Sequence, residues 1–566
     1  MTRRWPLDVA AGMGYLAIAA FLTAGLWSDP STRALAVNPA DQTLIEWFLA
    51  QGSRIWLGDL SLVTDRMNSP DGINLLTNAT NLLAGALLAP VTFAFGAPVS
   101  FAVLVAGNLA GTAFGWYLLF ARGFGLHRAA AAAAGGLCGF APAMMSQSNS
   151  HTHITMQWLL PPIVYCLLRL TRAQTPVRTG IALGLMIVAQ FFGGQEVLFF
   201  AALTLALFTA AYALFDRALA RRAWRPLLIG LGVAAGLSVA LLAYPLWVEF
   251  SGPQSVPNGP FSPDFFSADL SSYARFSPLS WAGRGGDGGS FAPNPTEMNT
   301  FLGVPLLIML AASVAFLWRH PVVRSAVVVG LVMAWLSLGP TVIVAGEATG
   351  FPALYKLLHG LPVIDGALPS RFALNLLPLI AAVLALTIDA ALRAEGVARY
   401  VMPAAAAIAL VPIAPLPLET VRRPAVPVFF TAGHWRTCVP TGGVLVPVPL
   451  PTPTDPESLR WAAAADAAFG VPEGFFIGPY GGNGNASIGV YSQPTAGLLA
   501  EVRKSGTVPE ITEEGRRQAR ADAGHWNASC ITLGPTVHRD ELKATLDLLY
   551  GPGERVADVW VWRVQP

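Results

Sequence analysis

The chain has 566 residues, 54% of them hydrophobic and 12% charged, about half the charged share of an ordinary soluble domain; this composition excludes a water-soluble globule for most of its length. Thirty-five basic residues against 33 acidic ones leave a net charge of +2, without a basic run or an interleaved basic and aromatic strip, which argues against a nucleic-acid partner. Forty charged residues fall in 1–417 and 28 in 418–566, so an apolar body is followed by a more polar tail.

A helix needs about 20 mainly apolar residues to cross the hydrocarbon core of a bilayer. Such runs lie at 8–27, 99–121, 129–146, 154–171, 178–194, 197–216, 226–248, 300–318, 322–344, 371–392 and 398–417, with a twelfth apolar run at 73–96. Arg3 and Arg4 precede the first run, which is long and lacks a small-residue cleavage site, so it reads as an anchor.

The loop after it contains Asn38-Pro39-Ala40-Asp41-Gln42-Thr43-Leu44-Ile45-Glu46-Trp47-Phe48. Pro39 and Asp41 suit a helix start, and Leu44, Ile45, Trp47 and Phe48 suit an anchor at the membrane interface over 42–57. Asp41 is then either a simple helix cap or a carboxylate fixed near the outer surface. Asp59 and Asp65 follow without a distinguishing context, and Pro70-Asp71-Gly72 is a turn.

Basic residues concentrate in cytoplasmic loops, and this decides the run at 73–96. If it does not cross, 15 of the 22 basic residues before residue 418 fall on one side, in short loops; if it crosses, the bias reverses. It therefore reads as a helix at, or dipping into, the outer interface, in keeping with its polar Asn74, Thr77, Asn78, Thr80 and Asn81. The expectation is a polytopic bundle of eleven transmembrane helices, with the N-terminus cytoplasmic and the C-terminus extracytoplasmic.

Further candidates lie on the outer side. Ser146-Gln147-Ser148-Asn149-Ser150-His151-Thr152-His153 places eight polar residues between two apolar spans, where they need water, partners or a cavity. His151 and His153 could bind a metal, orient an anionic group or face solvent. Gln195 and Glu196 form a tight outer turn. Glu297, in Asn294-Pro295-Thr296-Glu297-Met298-Asn299, enters the eighth span either as a cap or as an acceptor-binding carboxylate. Arg371 opens an apolar span on the side where basic residues are scarce; it suits a lipid phosphate, with snorkelling or pairing with Asp365 as the plainer reading.

Pro412, Pro415, Pro417, Pro424 and Pro427 mark a semi-rigid linker. Beyond it, strand patterns at 443–448, 529–533 and 556–563 alternate with helical ones at 457–469 and 539–550, which suggests a small α/β domain over 418–566. It carries no Gly-x-Gly-x-x-Gly, Walker loop or metal-spaced Cys/His set. Cys438 and Cys530 both lie in it; in an oxidising compartment they can pair, and the sequence leaves pairing and free thiols both open.

With these residues in order, the body over about 1–420 resembles the GT-C superfamily of membrane glycosyltransferases that use polyprenyl-phosphate sugars. Asp41 matches the acidic residue that the family carries in its first outer loop, and 42–57 and 73–96 match the interfacial helices after it. His151 and His153 stand where relatives often have acidic residues or histidine in the second outer loop; with neither Asp nor Glu there, a metal role does not carry over. Glu297 before Phe301-Leu302-Gly303, and Arg371 in its Pro-x-Arg-Phe setting, resemble recurrent features of bacterial members. The resemblance implies a mainly α body at 1–417 with a C-terminal α/β extracytoplasmic domain at 418–566, in a bacterial cell membrane. It implies transfer of a sugar from a polyprenyl-phosphate donor to a cell-envelope glycan or lipid acceptor. Asp41 would be the general base, Arg371 with His151 and His153 would bind the donor phosphate, and Glu297 would bind the acceptor. No cofactor is assigned, and a requirement for a divalent ion stays open. Two other classes remain: a transporter or flippase whose polar residues line a pathway, and a non-catalytic chain of the same fold that binds glycan or an assembly partner.

Overall fold

The computed structural model describes residues 5–564 apart from 359, 361–363 and 365; Arg3, Arg4 and the suggested pairing of Asp365 with Arg371 lie outside the described residues. The body is helical: α1 (Trp5–Leu22), α2 (Pro39–Ser53), α3 (Leu82–Phe95), α4 (Ala97–Leu118), α5 (Arg128–Phe140), α6 (Leu160–Thr171), α7 (Pro176–Gly193), α8 (Gln195–Phe215), α9 (Arg217–Ser251), α10 (Val304–Phe316), α11 (Pro321–Ser337), α12 (Leu376–Arg393) and α13 (Ala398–Leu410). Among the described residues, eight helices are long and apolar enough to cross a membrane. The runs expected at 300–318, 322–344 and 398–417 are shorter helices of 13, 17 and 13 residues. The second of these stops early because Gly339 adopts a left-handed φ of 73° against Ser267 and Pro340 follows it. Thr341–Val344, expected at the end of that span, is instead a strand paired with Glu347–Pro352.

The first outer loop departs from expectation in two ways. Only the apolar half of 73–96 is helical, because Asn74 caps the turn at Leu76 and Asn81 sits in the left-handed region. Helix α2 is not an interfacial anchor: Trp47 and Phe48 are 0% and 1% exposed, within the main core. Helices α3 and α4 cover one side of it and the helical turn Leu459–Ala464 from the tail covers another, so its apolar residues meet protein. The window through α12 is 83% buried and that through α9 only 17%, which puts α12 at the centre and α9, with Trp224, Tyr244 and Trp247 outward, at the periphery.

The tail is tied to the body from its start. Leu418 donates its N–H to the Leu22 carbonyl, and Thr420–Arg422 pairs antiparallel with Arg33–Leu35. Arg460, 2% exposed, reaches the carbonyls of Ser31 and Pro424 and stands beside Glu46 of α2. Beyond this lies a four-stranded sheet in the order Glu554–Val556, Val559–Arg563, Ala528–Leu533, Val444–Val448, the last two parallel. Its core is a separate cluster built from Val446, Ile531, Leu533, Leu542 and Leu546. Cys438 and Cys530 are disulfide-bonded, with Cα atoms 5.9 Å apart. Helices α14 (Pro494–Ser505) and α15 (Glu513–His525) precede the expected α16 (Arg539–Tyr550); α15 is too polar for apolar periodicity to reveal it.

Candidate active site

A cavity of about 800 Å³ opens between the N-terminal end of α2, the Ser150–His153 connector, the α7–α8 turn, the C-terminal end of α9 and the start of the helix that leads into α12. Asp41, His151, His153 and Arg371, chosen from sequence, all line it; Glu297 does not. Its other walls are largely apolar, and Phe475, Phe476, Ile477 and Ile488 come from the tail. The hairpin that carries the last two, Ile477–Tyr480 with Asn485–Ile488, is held by Asn78. That amide donates to the Ile477 carbonyl (3.0 Å) and its oxygen accepts from the Ile477 N–H (2.7 Å).

Asp41 lies in the first turn of α2, where Asn38 caps the helix by accepting from the Asp41 N–H (3.2 Å). The Asn38 amide donates to Asp41 Oδ2 (2.6 Å), and Ser150 ties the connector down by donating to the Asn38 carbonyl (2.9 Å). This brings His151 Nε2 to 3.2 Å from Asp41 Oδ2. The other ring nitrogen, Nδ1, lies 2.8 Å from Gln147 Oε1. Gln147 Nε2 already donates to Glu297 Oε2 and Asn299 Oδ1, each at 2.9 Å, so Gln147 Oε1 must accept and His151 Nδ1 must carry a proton.

Glu297 is the hub behind this pair. Its side chain has no exposure and accepts from Arg371 Nη2 (2.6 Å) and Nε (3.0 Å) on Oε1, and from Gln147, Asn299 and Ser370 on Oε2. Burial by itself would raise the Glu297 carboxyl, but the Arg371 guanidinium and His151, 3.6 Å away, hold it below the ordinary carboxylate value. Glu297, expected to bind the acceptor, does not line the cavity. Both of its oxygens accept from protein donors, Arg371 of the cavity wall among them, and it anchors Arg371 and the His151 amide relay.

Glu196, which sequence reasoning left without a role, faces Arg371 from the cavity, with Oε2 at 2.5 Å from Nη1. It is the only acidic residue between Asp71 and Asp216, and that isolation at a turn between two apolar runs is the available signal. The turn needs its glycines: a Cβ on Gly194 would sit 2.2 Å from the His153 carbonyl oxygen. Gln195 reaches Glu249 at the end of α9 (3.3 Å), which adds another carboxylate to the lining. Among the described residues, no group of three His, Cys, Asp or Glu side chains is placed to hold a metal ion.

The architecture, a helical body with long apolar helices and an appended α/β tail, is similar in fold to a solved membrane glycosyltransferase. The arabinofuranosyltransferase AftD from Mycobacteria aligns with 100% of this chain at a TM-score of 0.56 and 13% sequence identity. A mutant form of AftD aligns at 0.54. This chain spans 40% of the length of AftD. The archaeal oligosaccharyltransferase AglB from Archaeoglobus fulgidus, in complex with an inhibitory peptide and a dolichol-phosphate, aligns with 94% of this chain and 70% of its own length at 12% sequence identity and a TM-score of 0.44. No protein-family model matches the sequence, and no curated protein matches it.

Proposed function

We propose that the chain is a glycosyltransferase that moves a sugar from a polyprenyl-phosphate donor to a glycan or lipid acceptor on the extracytoplasmic face of a bacterial cell membrane. The observation that carries this reading is the convergence of Asp41, His151 and Arg371, 330 residues apart at the extremes, on one cavity with apolar walls. A carboxylate and a guanidinium in one hollow suit a reaction that takes a proton at one end and builds negative charge at the other.

In this reading the acceptor hydroxyl gives its proton to Asp41 as its oxygen attacks the anomeric carbon. The bond from that carbon to the phosphate oxygen breaks through an oxocarbenium-like state. The polyprenyl phosphate leaves with the electron pair, and Arg371 stabilises the charge. One direct displacement inverts the sugar. His151, oriented by Gln147, keeps the free lone pairs of Asp41 toward the cavity, and His153 lies beside the departing phosphate. Nucleotide sugars are cytoplasmic, so an outer-face transferase needs a donor that can cross, which a lipid-borne sugar does.

Asp41→Asn keeps the shape and removes the base. Incubated with radiolabelled polyprenyl-phosphate sugars and membrane acceptors, it should lose transfer by roughly 100-fold or more, the usual contribution of a positioned base. Transfer at near the wild-type rate would remove Asp41 from the mechanism.

A further inference from the structure

Two carboxylates share Arg371, and they are not equivalent. Glu297 has no side-chain exposure, binds the Nε–Nη2 edge of the guanidinium, and is itself held by Gln147, Asn299 and Ser370. Glu196 has an 18% exposed side chain, lines the cavity, and binds Nη1. Among the described residues it also accepts a long hydrogen bond from the Leu368 N–H (3.4 Å). Glu297 thus fixes the plane of the guanidinium through Nε and Nη2, while Glu196 holds Nη1, the cavity-side nitrogen of the terminal pair whose fork can match two phosphate oxygens.

A phosphate that approached this edge with Glu196 in place would bring two anions to hydrogen-bond distance of one buried cation between largely apolar walls, where repulsion is poorly screened. One of them has to leave. The backbone at the start of α8 is not free to move, because Gly194 packs against the His153 carbonyl with no space for even a methyl group. The Glu196 side chain, three rotatable bonds beyond that fixed point, can rotate into the cavity.

We propose that Glu196 is a built-in stand-in for the donor phosphate: its carboxylate holds the cavity-facing edge of Arg371 while the site is empty and is displaced when a phosphate ester binds. This rests on the phosphate role given to Arg371 above, and makes Glu196 a residue that sets donor affinity. The resident carboxylate keeps Arg371 aimed and neutralised between turnovers, and by returning it helps to expel the spent polyprenyl phosphate.

The test is binding of undecaprenyl phosphate and, separately, of inorganic phosphate to the full-length chain in detergent, for wild type, Glu196→Gln and Glu196→Ala, with thermal melts as the check on folding. Removing the competing charge should tighten undecaprenyl phosphate binding at least tenfold, whereas loss of a merely structural ion pair would weaken it. A gain for both probes means that Glu196 mimics the phosphate alone; a gain confined to the lipid means that the phosphate is read together with its tail; either supports the exchange. Equal or weaker binding in both variants overturns it, and so does loss of the folded chain in both, because Glu196 would then be a counterion the fold cannot release. If wild type transferred no sugar while Glu196→Gln still bound tenfold tighter, the transfer reading would fall and the exchange would stand. If wild type transferred sugar and the variants bound no tighter, the exchange alone would fall.

Discussion

Glu297→Gln is a severe test of the site because the substitution looks conservative and is not. The carboxylate accepts from five donors: Arg371 Nε and Nη2, Gln147 Nε2, Asn299 Nδ2 and Ser370 Oγ. An amide in its place offers one oxygen and one NH2 group, and each half of the pocket contains only donors. Whichever way the amide turns, buried N–H or O–H groups face an N–H, and Arg371 loses one of its two counterions. Breaking a buried ion pair costs about 3–5 kcal/mol, and the low end applies because Glu196 stays on Arg371. For the detergent-solubilised chain of 566 residues this should lower Tm by about 2–3 °C. The sign with pH is also set. Because the folded carboxyl titrates below its ordinary value, its stabilisation is present at neutral pH and is lost as pH falls through the folded value. The variant should therefore lack that part of the acid-induced loss. A Glu297→Gln melt within 1 °C of wild type would refute the five-donor hub.

Glu473, buried beside Ser492, whose hydroxyl donates to it (2.9 Å), is pushed up to about 7 by desolvation. The unfolded chain ionises first, so this residue costs stability as pH rises from the ordinary value of 4.5 toward 7. At roughly 1.4 kcal/mol per pH unit that amounts to about 3 kcal/mol, and Glu473→Gln should melt higher than wild type at pH 8 and equally at pH 4. Gly194→Ala should push the His153 backbone aside and reduce transfer by about 100-fold, as small misplacements in a site do, measured as kcat with the melt as control. Replacing Cys438 and Cys530 together by serine opens a loop of 92 residues and should cost about 2–5 kcal/mol, seen as a lower melting temperature that reductant no longer shifts.

The apolar spans were legible because a bilayer demands long uninterrupted hydrophobic runs, and no comparable demand marks where a helix in the interior of the body ends. Thus 371–392 lies within the continuous helical span Pro369–Arg393, while 322–344 overruns Gly339 and Pro340 into a strand. Trp47 and Phe48 were assigned to lipid because one sequence window does not reveal that a segment 410 residues later, Leu459–Ala464, packs against the same helix. In the site, Asp41, His151, His153 and Arg371 stood out as polar groups at the edges of apolar runs. Glu297 stood out for the same reason, yet its burial depended on amides at Gln147 and Asn299 that sequence alone gives no cause to single out. Glu196 passed as a turn residue because its partner, Arg371, is 175 positions away.

The hairpin at 477–488 and the phenylalanines before it form part of the cavity wall although they are synthesised about 430 residues after Asp41. A ribosome-bound chain that has completed its membrane helices therefore still has an open-sided hollow, with the amide of Asn78 waiting for its strand. Maturation of the site is coupled to synthesis of the tail, so a chain that ended before residue 475 would keep its membrane helices and yet present a pocket missing one wall to any carrier lipid it met.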